Sequence, residues 1–319
     1  MTMTNKFAYN KKIVLLSAVA AALAIVYILT FVLDPDNRRP AAFSWFESSN
    51  LDMADRVEIY GVNGNTELVR RNNVWFYSTG TGEFPAKQGR VQDLFAALSR
   101  KDIYPLRASS QEARERLGLT ENSASRIMVR GGAGLPLLDL LIGRATAVGS
   151  EIYLRRGGWN EIYSGEDRFT IFTDANPISW CDLRLFSVSE SDIMPYTIEA
   201  VQQADIELSD GTAYTVRRRG AGWILPGDES AVLDTTVVDA WLRTVLEAEG
   251  DSFGDGEIGF VEASITLRFG DGSSRTIQAS ISDADNYRKM TVSLSPYIYL
   301  LAERNFNRLF RESSYFLRE

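Results

Sequence analysis

The sequence predicts an α+β protein: an N-terminal transmembrane helix followed by two tandem homologous units, each an antiparallel sheet packed on one amphipathic helix. Three observations carry this. Residues 13–33 read IVLLSAVAAALAIVYILTFVL without a single charge. The phrase VRRNNVWFY at 69–77 returns as VRRRGAGWIL at 216–225. Alternating apolar and polar runs broken by Gly, Asn or Asp, the mark of β-hairpins, fill both halves and leave room for one long helical stripe in each.

The N-terminal run comes first. Its 21 residues at ~1.5 Å each span roughly 30 Å, the hydrocarbon thickness of a bilayer. A secretory leader would have an apolar stretch of about 7–15 residues and then a small-x-small cleavage site, whereas Asp34-Pro35-Asp36 follows here. Lys6, Lys11 and Lys12 precede the run with no acid, while Arg38 and Arg39 beyond it are offset by Asp34 and Asp36. The positive-inside rule then puts the N-terminus in the cytoplasm and the body outside, in the periplasm of a bacterium with two membranes. Ser17, Ala20, Ala21 and Ala24 are small residues spaced by four, candidates for packing against another membrane helix; alanine as plain filler is the blander alternative. The expected organisation is a cytoplasmic tail at 1–12, the membrane helix at 13–33, a stem at 34–53, a first α+β repeat at 54–190 and a second at 191–319, with the boundary near 187–195.

Within the repeats, VEIYGVNGNTEL (57–68) corresponds to IELSDGTAYT (206–215), with a turn two residues shorter expected in the second copy. Trp75 and Trp223 each open a further strand. Val91, Leu94, Phe95 and Leu98 correspond to Val238, Trp241, Leu242 and Val245, positions i, i+3, i+4 and i+7 of a helix. Thr235 or Thr236 is the expected N-cap of the second one. The first half carries an extra segment at 109–122, expected to hold a short helix. Next, RIMVRGGAGLPLLDLLIG (126–143) faces SITLRFGDGSSRTIQASI (264–281), with Gly132 and Gly134 matching Gly270 and Gly272. Closing helices are expected at 167–175 and 301–311.

Composition narrows the chemistry. The chain of 319 residues has no histidine, which excludes Ser-His-Asp, Cys-His and histidine-zinc sites. Its one cysteine, Cys181, cannot close an intrachain disulfide and is expected in the core. Outside the tail, 307 residues hold 31 basic and 42 acidic side chains, a formal −11, which argues against nucleic acid as a partner. No phosphate-binding glycine motif is present. Asp251, Asp255 and Glu257 lack the order of a calcium loop, and Asp52 with Asp55 lacks any recognisable supporting shell. No catalytic residue, cofactor or metal is expected.

Arginine clusters at 70–71, 155–156 and 217–219 remain. One reading makes them structural ion pairs covering sheet edges. The other makes Arg70, Arg155 and Arg217, with Trp159, a partner-binding set able to grip carboxylates or phosphates.

Trp75 after a hairpin, RLGL at 116–119, LIG at 141–143, EIY at 151–153 and the W-x-D-L-R of Trp180 to Arg184 together resemble a bacterial family, domain of unknown function 4340 (DUF4340). One departure is Lys87, where the family pattern has Asp or Glu after Pro-Ala. The resemblance implies a neighbourhood of ABC-type transport systems like those of gliding motility, with a permease and an extracytoplasmic auxiliary protein as partners. It implies no catalytic residues. The expectation is a non-enzymatic accessory subunit, anchored in the inner membrane, whose ectodomain docks onto such a complex. An extracytoplasmic glycan- or lipid-binding module is the alternative, and an envelope hydrolase a distant third.

Overall fold

The computed structural model describes residues 14, 16–27, 41–80, 82–147, 149–186, 196–228 and 231–318. It is built mostly of antiparallel strands in two sheets, with a few helices. The first sheet holds β1 (Ala54–Gly61), β2 (Gly64–Arg71), β3 (Val74–Ser78), β4 (Glu83–Pro85), β5 (Leu106–Ala108), β6 (Ser125–Gly131), β7 (Pro136–Ala145), β8 (Glu151–Arg156) and β9 (Ile162–Glu166), with helices α1 (Gln88–Ser99), α2 (Gln111–Arg116) and α3 (Thr170–Thr173). Its strand order is β4-β3-β2-β1-β6-β7-β8-β9-β5. The second holds β10 (Val201–Glu207), β11 (Ala213–Arg219), β12 (Gly222–Ile224), β13 (Ser252–Gly254), β14 (Val261–Phe269), β15 (Ser274–Ser282), β16 (Tyr287–Val292) and β17 (Ile298–Ala302), with α4 (Thr235–Leu246) and α5 (Glu303–Leu309), in the order β12-β11-β10-β14-β15-β16-β17-β13.

The chain takes the same route through each sheet. A meander of four strands in the first sheet and three in the second leads to the long helix, after which a short strand pairs at the far edge; a four-strand meander then starts beside the first strand. Inward residues agree as well: Val57 opposes Leu68 and Val129, and Ala204 opposes Val216 and Leu267.

Both long helices have 12 residues and bury the stripe their spacing dictates: Val91, Leu94, Phe95 and Leu98 in α1, and Val238, Trp241, Leu242 and Val245 with Leu246 in α4. Burying each such side chain contributes about 1.5–3 kcal/mol. The N-cap of α4 is Asp234, one residue earlier than expected; its carboxylate accepts from the Thr236 and Val237 N–H groups. A carboxylate there also suits the positive end of the helix dipole, an advantage threonine lacks. At Lys87, the N-cap of α1, no side chain caps the helix. Gln88 instead ties the helix start to β3, accepting from Trp75 N and donating to the carbonyls of Trp75 and Ala86.

Several local expectations change. The β10–β11 connection is one residue longer than its counterpart, not two shorter, because Ile59 pairs with Thr66 whereas Ile206 pairs with Tyr214. The arginine clusters do not cover sheet edges, since β2, β8 and β11 each lie between two neighbours. The closing helices are shorter than 167–175 and 301–311, covering Thr170–Thr173 and Glu303–Leu309, with residues 301–302 belonging to β17. The extra segment does form a short helix, α2, N-capped by Ser110. Trp45 and Phe46, in the stretch expected as stem, are buried in the first core, whereas Leu185 and Phe186 are buried in the second. The expected boundary at 187–195 lies outside the described residues.

Residues 16–27 are helical and leave Leu16, Val19, Leu23, Ile25 and Tyr27 at least half exposed. Among the described residues no helix is long and apolar enough to cross a membrane. Residues 13, 15 and 28–33 of the expected span lie outside them.

Candidate functional site

Arg70 projects from β2 into a cleft of about 400 Å³ beside α1, lined also by Leu51, Trp75, Gln92, Phe95 and Ser99. Its Nη1 donates to the Leu51 carbonyl at 3.2 Å and to those of Asp52 and Ala54 at 3.4 Å, and its Nη2 to Asn73 Oδ1 at 2.9 Å. The guanidinium thus pins β2 to the 3-10 turn Ser48–Met53 ahead of β1. In the second sheet Arg218 does the same: Nη2 reaches the Ile198 carbonyl at 2.8 Å, Nε reaches that of Val201 at 2.9 Å, and the group stacks 4.2 Å from the Trp223 ring centre. The ladder pairs Arg70 with Trp75 and Arg218 with Trp223. Arg218, not Arg217, is therefore the counterpart of Arg70, and the extra residue in the β10–β11 connection is the reason. Arg217 is exposed and bonded to Gln203.

Arg155 stands elsewhere, on β8 between Leu141 of β7 and Ile162 of β9. It is 3% exposed. Its donors reach the carbonyls of Leu119 and Trp159 and the carboxylate of Glu121, at 2.9–3.1 Å. With Leu119, Leu141 and Ile162 it holds the α2 segment onto the sheet, beside a small separate core. Gly143 makes that approach possible, because a Cβ there would lie 2.5 Å from the Leu117 carbonyl oxygen. Trp159 is 46% exposed, with the Arg156 guanidinium 5.3 Å from its ring centre. The structure brings Arg155 and Trp159 together. Arg70 lies four strands away in the ladder, about 19 Å at the usual strand spacing, and Arg217 lies in the other sheet.

The third feature is the joint between the sheets, formed by Trp180-Cys181-Asp182-Leu183-Arg184. On one side it pairs with the start of α1: Lys87 N donates to the Trp180 carbonyl at 2.8 Å, and Asp182 N to that of Pro85 at 2.8 Å. On the other it pairs with the end of α4: Gly250 N donates to the Leu183 carbonyl at 2.8 Å, and Leu185 N to that of Ala248 at 2.9 Å. Asp182, 3% exposed, accepts from Arg184 N, Nε and Nη2. Trp180 and Cys181 are fully buried, and burial pushes the Cys181 thiol up to about 12. Such a thiol is inert at neutral pH. Next to the joint, Phe84 of β4 stacks on Phe253 of β13, ring centres 4.4 Å apart. Periodicity gives no hint of this joint, since its residues neither alternate nor follow a helical stripe.

A family model described as Domain of unknown function (DUF4340) matches residues 75–261, more than half of the chain. The chain belongs to this family. No curated protein and no solved structure matches it. The DUF4340 match opens at Trp75 in β3 and closes at Val261 in β14, so it crosses the joint and takes in both long helices. Within the matched range two short stretches fall at structural junctions: RLGL lies on LIG through Gly143, and residues 180–184 link the sheets.

No three His, Cys, Asp or Glu side chains are grouped to hold a metal ion among the described residues. Of the acids weighed for calcium, Asp251 accepts from Ala302 N and Asn305 Nδ2, which fixes α5 to β13. Ser17, Ala20, Ala21 and Ala24 all lie exposed on the N-terminal helix.

Proposed function

We propose that this DUF4340 protein is a non-enzymatic accessory subunit held in the bacterial inner membrane by residues 13–33. Its tail faces the cytoplasm, and its two sheets, copies of one duplicated unit, stand outside as a docking body for an ABC-type transport or gliding-motility-like complex. One observation carries the reading: an uncharged run of 21 residues whose described part is a helix with exposed apolar side chains. Such a surface is costly in water and favourable in hydrocarbon. The shared strand order and the matching roles of Arg70 and Arg218 support the duplication. The lack of any histidine supports a non-enzymatic role. Ser17, Ala20, Ala21 and Ala24 would face the permease.

The test is extraction in mild detergent followed by mass spectrometry of co-purifying chains. Recovery of a permease and an ATPase is the expected result; recovery of the protein alone, where other complexes survive, overturns the reading. The cleft at Arg70 favours a second reading, an extracytoplasmic glycan- or lipid-binding module, since it joins an arginine and amide groups to the Trp75 and Phe95 rings. In that case envelope glycans or lipids would quench tryptophan fluorescence, and Trp75→Phe would abolish the change.

A further inference from the structure

We propose that the loop following α1, together with the β8–β9 turn, is a membrane-facing surface that contacts anionic lipid headgroups. The inference rests on the anchor proposed above. Phe43, partly buried against the first core, is clamped to this loop: Phe43 N donates to the Asp102 carbonyl and Asp102 N to that of Phe43, both at 3.0 Å. Nine residues separate Leu33 from Phe43, so the loop stands at most about 35 Å from the end of the hydrophobic run.

The side chains there suit a bilayer surface. Arg100 and Lys101 are exposed, and beside them Ile103 and Leu106 stand 52% and 60% exposed. Arg168 bonds both Asp102 and Glu166, and with Glu161 of the turn these three acids face Arg100, Lys101, Arg156 and Arg168, which leaves the patch net positive. Arg156 donates to the Trp45 carbonyl at 3.2 Å while lying over Trp159, which places that half-exposed indole within one side chain of the same incoming strand. Interfacial tryptophan, basic residues reaching for phosphate and aliphatic side chains just below them form the pattern of a membrane-water boundary. The remaining body is acidic and would be repelled by the same lipids. A contact too weak to recruit a free protein suffices here, because the tether makes it intramolecular.

The experiment uses the full chain in nanodiscs of phosphatidylcholine with or without phosphatidylglycerol. Ile103→Cys carries an environment-sensitive fluorophore, and Leu294→Cys, 83% exposed in the β16–β17 turn, carries it as the reference. The buried Cys181 stays unlabelled. Expected are blue-shifted emission and quenching by nitroxide lipids at 103 and not at 294, stronger with phosphatidylglycerol. Arg100→Glu with Lys101→Glu should weaken the contact at least about fivefold per basic residue lost. Equal emission at both sites in protein that floats with the lipid overturns the surface and leaves the anchor standing. A signal at 103 indifferent to lipid charge overturns the headgroup contact. Failure to insert overturns the anchor and this inference with it.

Discussion

Truncating Asp182 to alanine should loosen the joint between the sheets by an amount the geometry sets. Its side chain is 4% exposed and that of Arg184 13%, and the two meet at 2.7 Å. After truncation the guanidinium keeps its charge where water reaches it poorly. Removing one partner of such a pair costs about 3–5 kcal/mol; the further contacts of Arg184 place Asp182→Ala near the lower end, about 3 kcal/mol. Asp182→Asn retains the shape and loses the charge assistance, a cost of about 1.5–3 kcal/mol. Asp182→Ala combined with Arg184→Met removes the charge along with its partner and should regain most of the loss. Urea unfolding followed by tryptophan fluorescence is the assay. With a slope of about 2–3 kcal/mol per molar, the alanine variant should unfold about 1–1.5 M earlier. An unchanged midpoint for Asp182→Ala, or a double variant no better than the single one, would refute the assignment of the pair as what braces the joint.

Arg155→Ala should cost about 2–4 kcal/mol and raise amide exchange across 109–122, because the Leu119 and Trp159 carbonyls and Glu121 lose their donor; exchange confined to residues next to position 155 would contradict this. Gly143→Ala should cost about 1–3 kcal/mol by pressing on Leu117 and Leu119, whereas Gly132→Ala, which meets nothing within 4 Å, should stay within about 0.5 kcal/mol in the same melts. The Ile103 N–H and the Arg168 guanidinium hold the Asp102 carboxyl below its ordinary range. A depressed carboxylate contributes stability above its unfolded pKa and loses it as pH falls through the folded one. The melting gap between the parent and Asp102→Asn should therefore hold from neutral pH to about pH 5 and narrow as pH falls below about 4, the ordinary carboxyl range; a gap unchanged in acid would show that the charge is irrelevant.

The parts of the fold that obey a local period were legible in the sequence. Four apolar positions fixed the inward face of α1 and four more that of α4, because a helix buries whatever recurs every third or fourth residue. Hairpins showed through their turns, such as Asn72-Asn73, both with positive φ, between β2 and β3. What escaped was non-local. Nothing local tells β5 to seek β9 across the sheet, or 180–184 to bind both helices. A single added residue in the β10–β11 connection moved the role of Arg70 onto Arg218 although the letters aligned with Arg217. At the candidate site, residue type revealed cations and an indole but not their partners: Arg155 is consumed by two carbonyls and Glu121 under α2, while the Trp159 ring beside it lies under Arg156 and stays about half exposed.

The outermost strands β4, β5, β12 and β13 are three residues long. So short a ribbon offers an incoming chain too few rungs to lengthen into a fibre. Copies anchored side by side as proposed could crowd together without fusing through their backbones. Any association among neighbours would then be written in side chains, which drift can retune while both interiors remain untouched.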